Sequence, residues 1–297
     1  IRTLILRTLS SSIKMNTIAI ICHPEKEYLL QLLENIFEWS KNNKIRSFIL
    51  PETAQMFGFS EHVMPFDQLV KVAELAIVLG GDGTILSATR KFAPYKIPVA
   101  GINLGHLGFL TLDEPNNAIK TLETLVKGEY TVENRMMLET SVYRNKNLVY
   151  SGNALNDVVI QKEPRSRVID IDISISGTPV NTYRGDGLIF STPTGSTAYS
   201  LSAGGPIVSP SMELILLCPL NCHTLSARPL ITPEHETLSA RLFCTQTKVE
   251  IVLDGQESFM LEPDDEIIVK KSQINGLIIT FNPRNFYSLL RKKMHWQ

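Results

Sequence analysis

The sequence predicts an α/β plus all-β protein: an N-terminal Rossmann-like parallel α/β domain followed by a C-terminal β-sandwich domain. Three observations carry that expectation. From Met15 to residue 128, short apolar runs alternate with stretches of helical spacing, the pattern of a parallel sheet covered on both faces. From Glu129 onward strands joined by turns dominate, and "VIDIDISISG" alternates, with Ile169, Ile171, Ile173 and Ile175 on one face. The chain is also long enough, at 297 residues with 43% hydrophobic and 20% charged, to bury two cores.

The elements follow in order. "TIAIIC" is a buried strand, and "EKEYLLQLLENIFEWSKNN" places Leu29, Leu32, Leu33, Ile36 and Phe37 at helical spacing. "IRSFIL" is a second strand, "FDQLVKVAE" a helix, "LAIVLGG" a third strand, "TILSATRKFA" a helix and "IPVAGINLG" a fourth strand. In the second domain, residues 129–284, the expected strands are "MLETSVYR", "LVYSGNALNDVVI", "VIDIDISISG", "GLIFSTP", "KVEIVLDG", "DEIIVKK" and "GLIITF". The tail, 285–297, reads as a helix that packs back on the first domain, 15–128. Residues 1–14 carry Arg2, Arg7, Lys14, a serine run and no acid, which is transit-peptide composition. "MNTIAII" at Met15 reads as a native start, so a leader or a non-native extension is expected there.

Charge and cysteine usage exclude several classes. A net charge of −1 and a pI of about 6.7 give no reason to expect a nucleic-acid or membrane-surface partner. No apolar run approaches the ~18 residues of a membrane span. Cys218 and Cys222 form a CxxxC with no second pair at finger-like spacing, so reduced thiols and a cytoplasmic location are expected, with no metal held by protein side chains.

Four segments carry chemistry. In "LAIVLGGDGTIL" a buried strand ends in Gly80-Gly81-Asp82-Gly83, and Thr84 is placed to cap the following helix. Glycines there allow left-handed angles and leave peptide N–H groups open to phosphate at a helix N-terminus. An acid inside a phosphate cradle makes sense if Asp82 handles a metal ion or takes a proton from an attacking hydroxyl; the bland alternative is a tight βα turn. "GINLGHLGFL" adds Gly101, Gly105 and Gly108 at the same carboxyl edge of the sheet, with His106 as a lesser candidate. Asn156-Asp157 interrupts an apolar strand, as a binding pair or as a bulge. Finally, "YRGDGLIFSTPTGSTAYSLSAGGP" supplies Arg184 and Asp186. In it, seven of the twelve residues from Ser191 to Ser202 carry aliphatic hydroxyls. Asp254-Gly255-Gln256 reads as a hairpin turn.

GGDGT, GINLGHLGFL, the Asn-Asp pair and GDG…STPTGSTAYSLSAGGP, in this order, resemble the NAD kinase (ATP-NAD kinase) family of the bacterial type, from Met15 to the C-terminus. The GGDG turn alone also occurs in diacylglycerol, sphingosine and phosphofructo-kinases; the hydroxyl-rich segment is the specific part. The resemblance implies that the dinucleotide is contacted by Asp82, Gly83, Asn156, Asp157, Arg167, Arg184, Asp186, Thr197, Ala198, Tyr199, Ser200, Leu201, Ser202 and Gln256. Gly80, Gly81, Gly83 and Thr84 would cradle the ATP phosphates with Mg²⁺ or another divalent cation, and Asp82 would be the catalytic base. Asp157 stands where many members carry Glu, and "KEPRSRVID" around Arg167 departs from commoner glycine-containing versions.

The activity so implied is ATP-dependent phosphorylation of the 2′-hydroxyl of the adenosine ribose of NAD, giving NADP and ADP, by a homotetramer or homodimer. Two alternatives stand beside it. A lipid kinase of the same superfamily requires an apolar acceptor pocket, which the hydroxyl-rich segment argues against. A non-catalytic NAD(P)-binding regulator would not need Asp82.

Overall fold

The computed structural model describes residues 15–22, 29–104, 108–111, 117–224, 226–243, 247–281 and 286–296. Residues 1–14, Gly105 and His106 lie outside the described residues. The chain forms two compact units, one ending at Asn134 and resuming at Leu277, the other spanning Arg135–Gly276.

The first unit opens with β1 (Thr17–Cys22), α1 (Leu29–Asn42), β2 (Arg46–Ile49), α2 (Pro51–Phe57) and α3 (Phe66–Leu69). It continues with β3 (Leu75–Leu79), α4 (Asp82–Phe92), β4 (Val99–Ile102), α5 (Ala118–Val126) and β5 (Thr131–Arg135). In the second unit come β6 (Leu138–Arg144), β7 (Asn147–Ala154), β8 (Asp157–Lys162), β9 (Ile169–Ile175), β10 (Thr178–Gly185) and β11 (Gly187–Ser191). After these follow the single turn α6 (Tyr199–Ser202), then β12 (Leu214–Leu220), β13 (Leu230–Pro233), β14 (Leu238–Phe243), β15 (Val249–Leu253), β16 (Glu257–Leu261) and β17 (Glu266–Lys271). β18 (Gly276–Thr280) and α7 (Phe286–Lys293) complete the chain.

One sheet has the order β2-β1-β3-β4-β18-β5, with β1, β2, β3, β4 and β18 paired in parallel. All five residues of β3 are buried, as a strand covered on both faces requires. The five apolar positions of α1 are buried as their spacing predicts. α2 was not anticipated: Pro51 occupies its first turn and Gly58, at φ 73°, ends it. The helix expected over "FDQLVKVAE" stops at Leu69, where β-branched Val70 and Val72 follow.

The expected domain limits shift. β5 and β18 both enter the parallel sheet, so the second unit is 135–276 rather than 129–284, and the return to the first unit starts at β18 rather than at residue 285. "GLIITF" reads as one more sandwich strand, yet Ile278 pairs in parallel with Val99.

The second unit is two six-stranded antiparallel sheets, β10-β9-β14-β17-β6-β7 and β13-β12-β11-β8-β15-β16. Their inner faces share one core, with Ile169, Ile171, Leu238 and Ile267 in the same cluster as Val158, Ile160, Phe190 and Leu217. The second of these sheets is covered on its outer face as well, where Val159, Ile189, Leu216 and Cys218 pack with Val208. Both faces being buried explains why "GLIFS" and "LILLCPL" read as unbroken apolar runs. "LVYSGNALNDVVI", expected as one strand, is two: the chain leaves β7 in one sheet and enters β8 in the other across Leu155-Asn156.

Candidate active site

In the first unit, β3 ends in the glycine turn and α4 starts at Asp82. Two expectations need correction. Thr84 is not the cap: Gly81 holds that position, and Thr84 lies inside the helix with its N–H on Gly81 O at 3.0 Å. The glycines do not adopt left-handed angles either. Gly81 is extended, at φ −95° and ψ −173°, and a side chain at Gly80 would collide with Thr84. Close approach, rather than backbone freedom, is what requires Gly80. Gly81 faces open space, so its peptide is accessible to a ligand.

The Asp82 carboxylate is held by the second glycine loop. Its Oδ2 accepts the Phe109 N–H at 2.8 Å and its Oδ1 accepts the Leu110 N–H at 3.1 Å. A Cβ at Gly108 would overlap Oδ1. Two N–H groups of this loop, those of Phe109 and Leu110, are thus spent on the acid, and that of Gly108 bonds Thr111 Oγ1 at 3.0 Å. Because β3 and β4 are parallel neighbours and Gly80 N–H bonds Ile102 O at 3.0 Å, both loops leave the same carboxyl edge.

In the second unit, β8 begins where β11 ends, with Asp157 opposite Ser191. That register brings the Asn-Asp pair to the hydroxyl-rich segment. Asn156 O accepts the Thr192 N–H at 2.8 Å, and Thr192 Oγ1 donates to Leu155 O at 2.6 Å. A Cβ on Gly195 would overlap Asn156 O, so the two loops touch backbone to backbone. Asn156 Oδ1 is buried and has no hydrogen-bond partner among the described residues. A buried acceptor left open is costly unless something supplies a donor. Asp157 is 4% exposed, and burial, together with the Asp254 charge, pushes its carboxyl up to about 7.

Most of the hydroxyls in the segment face inward, contrary to a segment built to hold a ligand with all of them. Ser191 Oγ donates to Asn156 O at 3.2 Å, and Ser196 Oγ donates to Pro193 O at 2.7 Å and accepts from Val208 N–H at 3.0 Å. Ser200, expected to contact dinucleotide, has no exposed surface, and its hydroxyl lies 3.1 Å from Cys218 Sγ. What faces outward is narrower: Tyr199, 44% exposed, and Ser202, with Thr197, Ala198 and Leu201 half-buried.

Arg184 and Asp186 lie at the other end of β8. Asp186 precedes β11, and its Oδ1 is 3.2 Å from Lys162 Nζ at the last residue of β8. Asn221 Nδ2 donates to its Oδ2 at 2.9 Å, and these two neighbours hold the Asp186 carboxyl below the usual range, Asn221 foremost. The charge of Asp186 is thus answered within its own chain. Arg184 is exposed, 3.9 Å from Asp170. Arg167 and Gln256 are exposed as well, Gln256 in the β15–β16 hairpin.

Known proteins match this arrangement. The ATP-NAD kinase N-terminal domain family matches residues 18–130 and the ATP-NAD kinase C-terminal domain family residues 155–281. The chain belongs to the NAD kinase family. An NAD kinase of Natranaerobius thermophilus is 39% identical over 280 residues, 94% of this chain and 98% of that one. One from Magnetococcus marinus is 38% identical over 285 residues, 95% and 94% of the two chains. Among solved structures, an Archaeoglobus fulgidus NAD kinase in complex with ATP has a TM-score of 0.72 at 25% identity, covering 94% of this chain and 98% of that one. A yeast NADH kinase complexed with NADH shares the fold, with a TM-score of 0.88 at 24% identity over 96% and 89% of the chains.

Seen as an NAD kinase family site, three residues stand out: two that the sequence reading did not name, and Asp254, which it read only as part of a hairpin turn. Lys162 and Asn221 are the partners of Asp186. Asp254 accepts three consecutive backbone N–H groups, from Leu155 at 3.0 Å, Asn156 at 2.7 Å and Asp157 at 3.1 Å. The Asp-Gly pair signalled the hairpin correctly, with both residues at positive φ, 50° and 67°. No local signal tells that its acid reaches a turn nearly a hundred positions away.

Proposed function

We propose that the protein transfers the γ-phosphate of ATP to the 2′-hydroxyl of the adenosine ribose of NAD, giving NADP and ADP. The observation that carries this reading is Asp82. A carboxylate at the first residue of α4, beside a turn open at Gly81, is repelled by phosphate unless it has chemical work there. Taking the proton of an attacking hydroxyl is such work. Each Asp82 oxygen accepts one N–H and keeps lone-pair capacity for a second partner, so the loop aims the acid without exhausting it.

Gly80, Gly81, Gly83 and Thr84 would lie against the phosphates; the Gly80 and Thr84 N–H groups are already bonded to Ile102 O and Gly81 O, so the exposed turn at Gly81 would make the closest approach. Of these residues only Asp82 suits Mg²⁺ carried by the triphosphate, as a carboxylate oxygen that would face the ion; the metal would supply charge neutralisation on the phosphates. In the second unit, the open Asn156 Oδ1, the Asp157 carboxyl and the exposed Tyr199 ring offer an acceptor, a group able to donate or accept, and a stacking face. These suit a dinucleotide better than a lipid tail. Arg167, Arg184, Asp186 and Gln256 are retained as outer contacts on the family resemblance. No helix of the described residues is long and apolar enough to cross a membrane. Cys22, Cys218 and Cys222 form no disulfide, and a cytoplasmic homotetramer or homodimer completes the reading.

The test is a coupled assay of ADP release and NADP formation with NAD or NADH as acceptor and ATP or polyphosphate as donor. Formation of NADP only when NAD and ATP are both present is expected. ADP release without NADP would point to another acceptor, and NAD binding without turnover would make the protein a regulator.

A further inference from the structure

We propose that Asp254 is a positioning residue for NAD, holding the Asn156-Asp157 turn in its binding shape before the dinucleotide arrives; this rests on the NAD kinase reading above. Asp254 sits at the tip of the β15–β16 hairpin, 8% exposed, at the same end of its sheet as the start of β8 and the end of β11. Its two carboxylate oxygens receive three N–H groups from Leu155, Asn156 and Asp157. Its own N–H returns a bond to Asp157 O at 3.0 Å. The turn is therefore clamped from one residue through both backbone and side chain.

The clamp has a specific consequence for the site. Leu155-Asn156 is where the chain crosses from one sheet to the other, so strand pairing does not fix these peptides. Three N–H groups in succession point to Asp254, so the directions in which the Asn156 and Asp157 side chains leave the backbone are set by this turn. Asn156 presents a buried acceptor with no partner among the described residues. An orphan acceptor survives in a folded site only if its surroundings forbid it from turning toward water. A carboxylate collecting several N–H groups also gives bonds stronger than neutral ones. Ordering the turn in the free protein removes that cost from binding.

The experiment compares wild type with Asp254→Asn. Asn tolerates the left-handed angle but offers one acceptor oxygen in place of two, so at least one N–H meets a donor. The expected result is a dissociation constant for NAD raised about tenfold, near the worth of one charge-assisted hydrogen bond, with the KM for ATP changed less than twofold. In Asn156→Ala background the same substitution should add little, since both act through one turn. A folded Asp254→Asn protein with unaltered NAD affinity overturns the proposal, as does an equal loss for NAD and ATP, which marks a general structural role. Should the variant not fold, amide exchange on the wild type decides. Slow exchange at Leu155, Asn156 and Asp157 in the free protein is expected; fast exchange that slows only with NAD refutes a preformed turn. Wild type that binds no NAD overturns the kinase reading itself, and this role with it.

Discussion

At the scale of single residues, Asp82, Tyr199 and Asp157 each make a separable prediction. Asp82→Asn keeps shape but removes the proton acceptor, and its amide also meets one of the two loop N–H groups donor to donor. Turnover should fall about 10²–10⁴-fold while NAD still binds. Measuring kcat beside a direct dissociation constant checks this, and turnover within about threefold of wild type would refute the base assignment. Tyr199→Ala removes a ring already 44% exposed. It should cost about 1–2 kcal/mol of NAD binding with little change in Tm, and calorimetric titration with a thermal melt separates the two. Asp157 is a matter of pH. Its folded carboxyl keeps a proton up to about 7, whereas the ordinary value is 3.8. Between those values the folded chain binds more protons than the unfolded one, so this residue makes stability fall as pH rises, by at most about 1.4 kcal/mol per unit. Asp157→Asn should therefore gain on wild type in Tm from about pH 4 to 7, and a pH-independent difference would remove the assignment.

At the scale of elements, the site is built from contacts between loops, and this decides what was legible. The GGDG turn, the Asn-Asp pair and the hydroxyl-rich segment each announced themselves through residue types that ordinary packing does not call for. Their internal use did not. Nothing local distinguishes Ser200, on the buried side of α6 against Cys218, from Ser202 two positions on, which is exposed. Lys162 went unnoticed and Asp254 read as a hairpin because their partners are distant in sequence. Glycine 108 illustrates the same dependence. Gly108→Ala would drive a methyl group into the Asp82 carboxylate, so turnover should drop about tenfold or more, with loss of the slow exchange at Phe109 and Leu110 N–H. Full activity in this variant would show that the loop does not aim Asp82.

For the whole molecule, the fold class was readable because the period of hydrophobicity changes once, from helical spacing around buried runs to alternation. The boundary was not, because β18 is an apolar strand like its sandwich neighbours and only its parallel partner, β4, assigns it. β10 was missed for the opposite reason: six of its eight residues face solvent, with Pro179 among them, so it has neither a buried face nor a run to see. Metal dependence belongs at this scale as well. Among the described residues no group of three or more His, Cys, Asp and Glu is placed to hold a metal ion. If Mg²⁺ comes with ATP, chelation should abolish turnover, leave Tm unchanged, and be reversed by adding Mg²⁺. A Tm that falls on chelation would indicate a metal bound by the protein itself.

The outer face of the sheet containing β8, β11 and β12 is roofed by the hydroxyl-rich segment, whose buried hydroxyls serve its own backbone and that of the Leu155-Asn156 turn. The motif that marks this family in a sequence is then largely an imprint of folding. On the binding roles proposed above, a descendant that lost Asn156 and Tyr199 would lose its ligand but still need Thr192, Ser196 and Ser200 to close the roof. Such a chain would keep the signature after losing the activity. If the proposed roles hold, the letters that would sort catalysts from silent relatives are the few that point outward, together with Asp82.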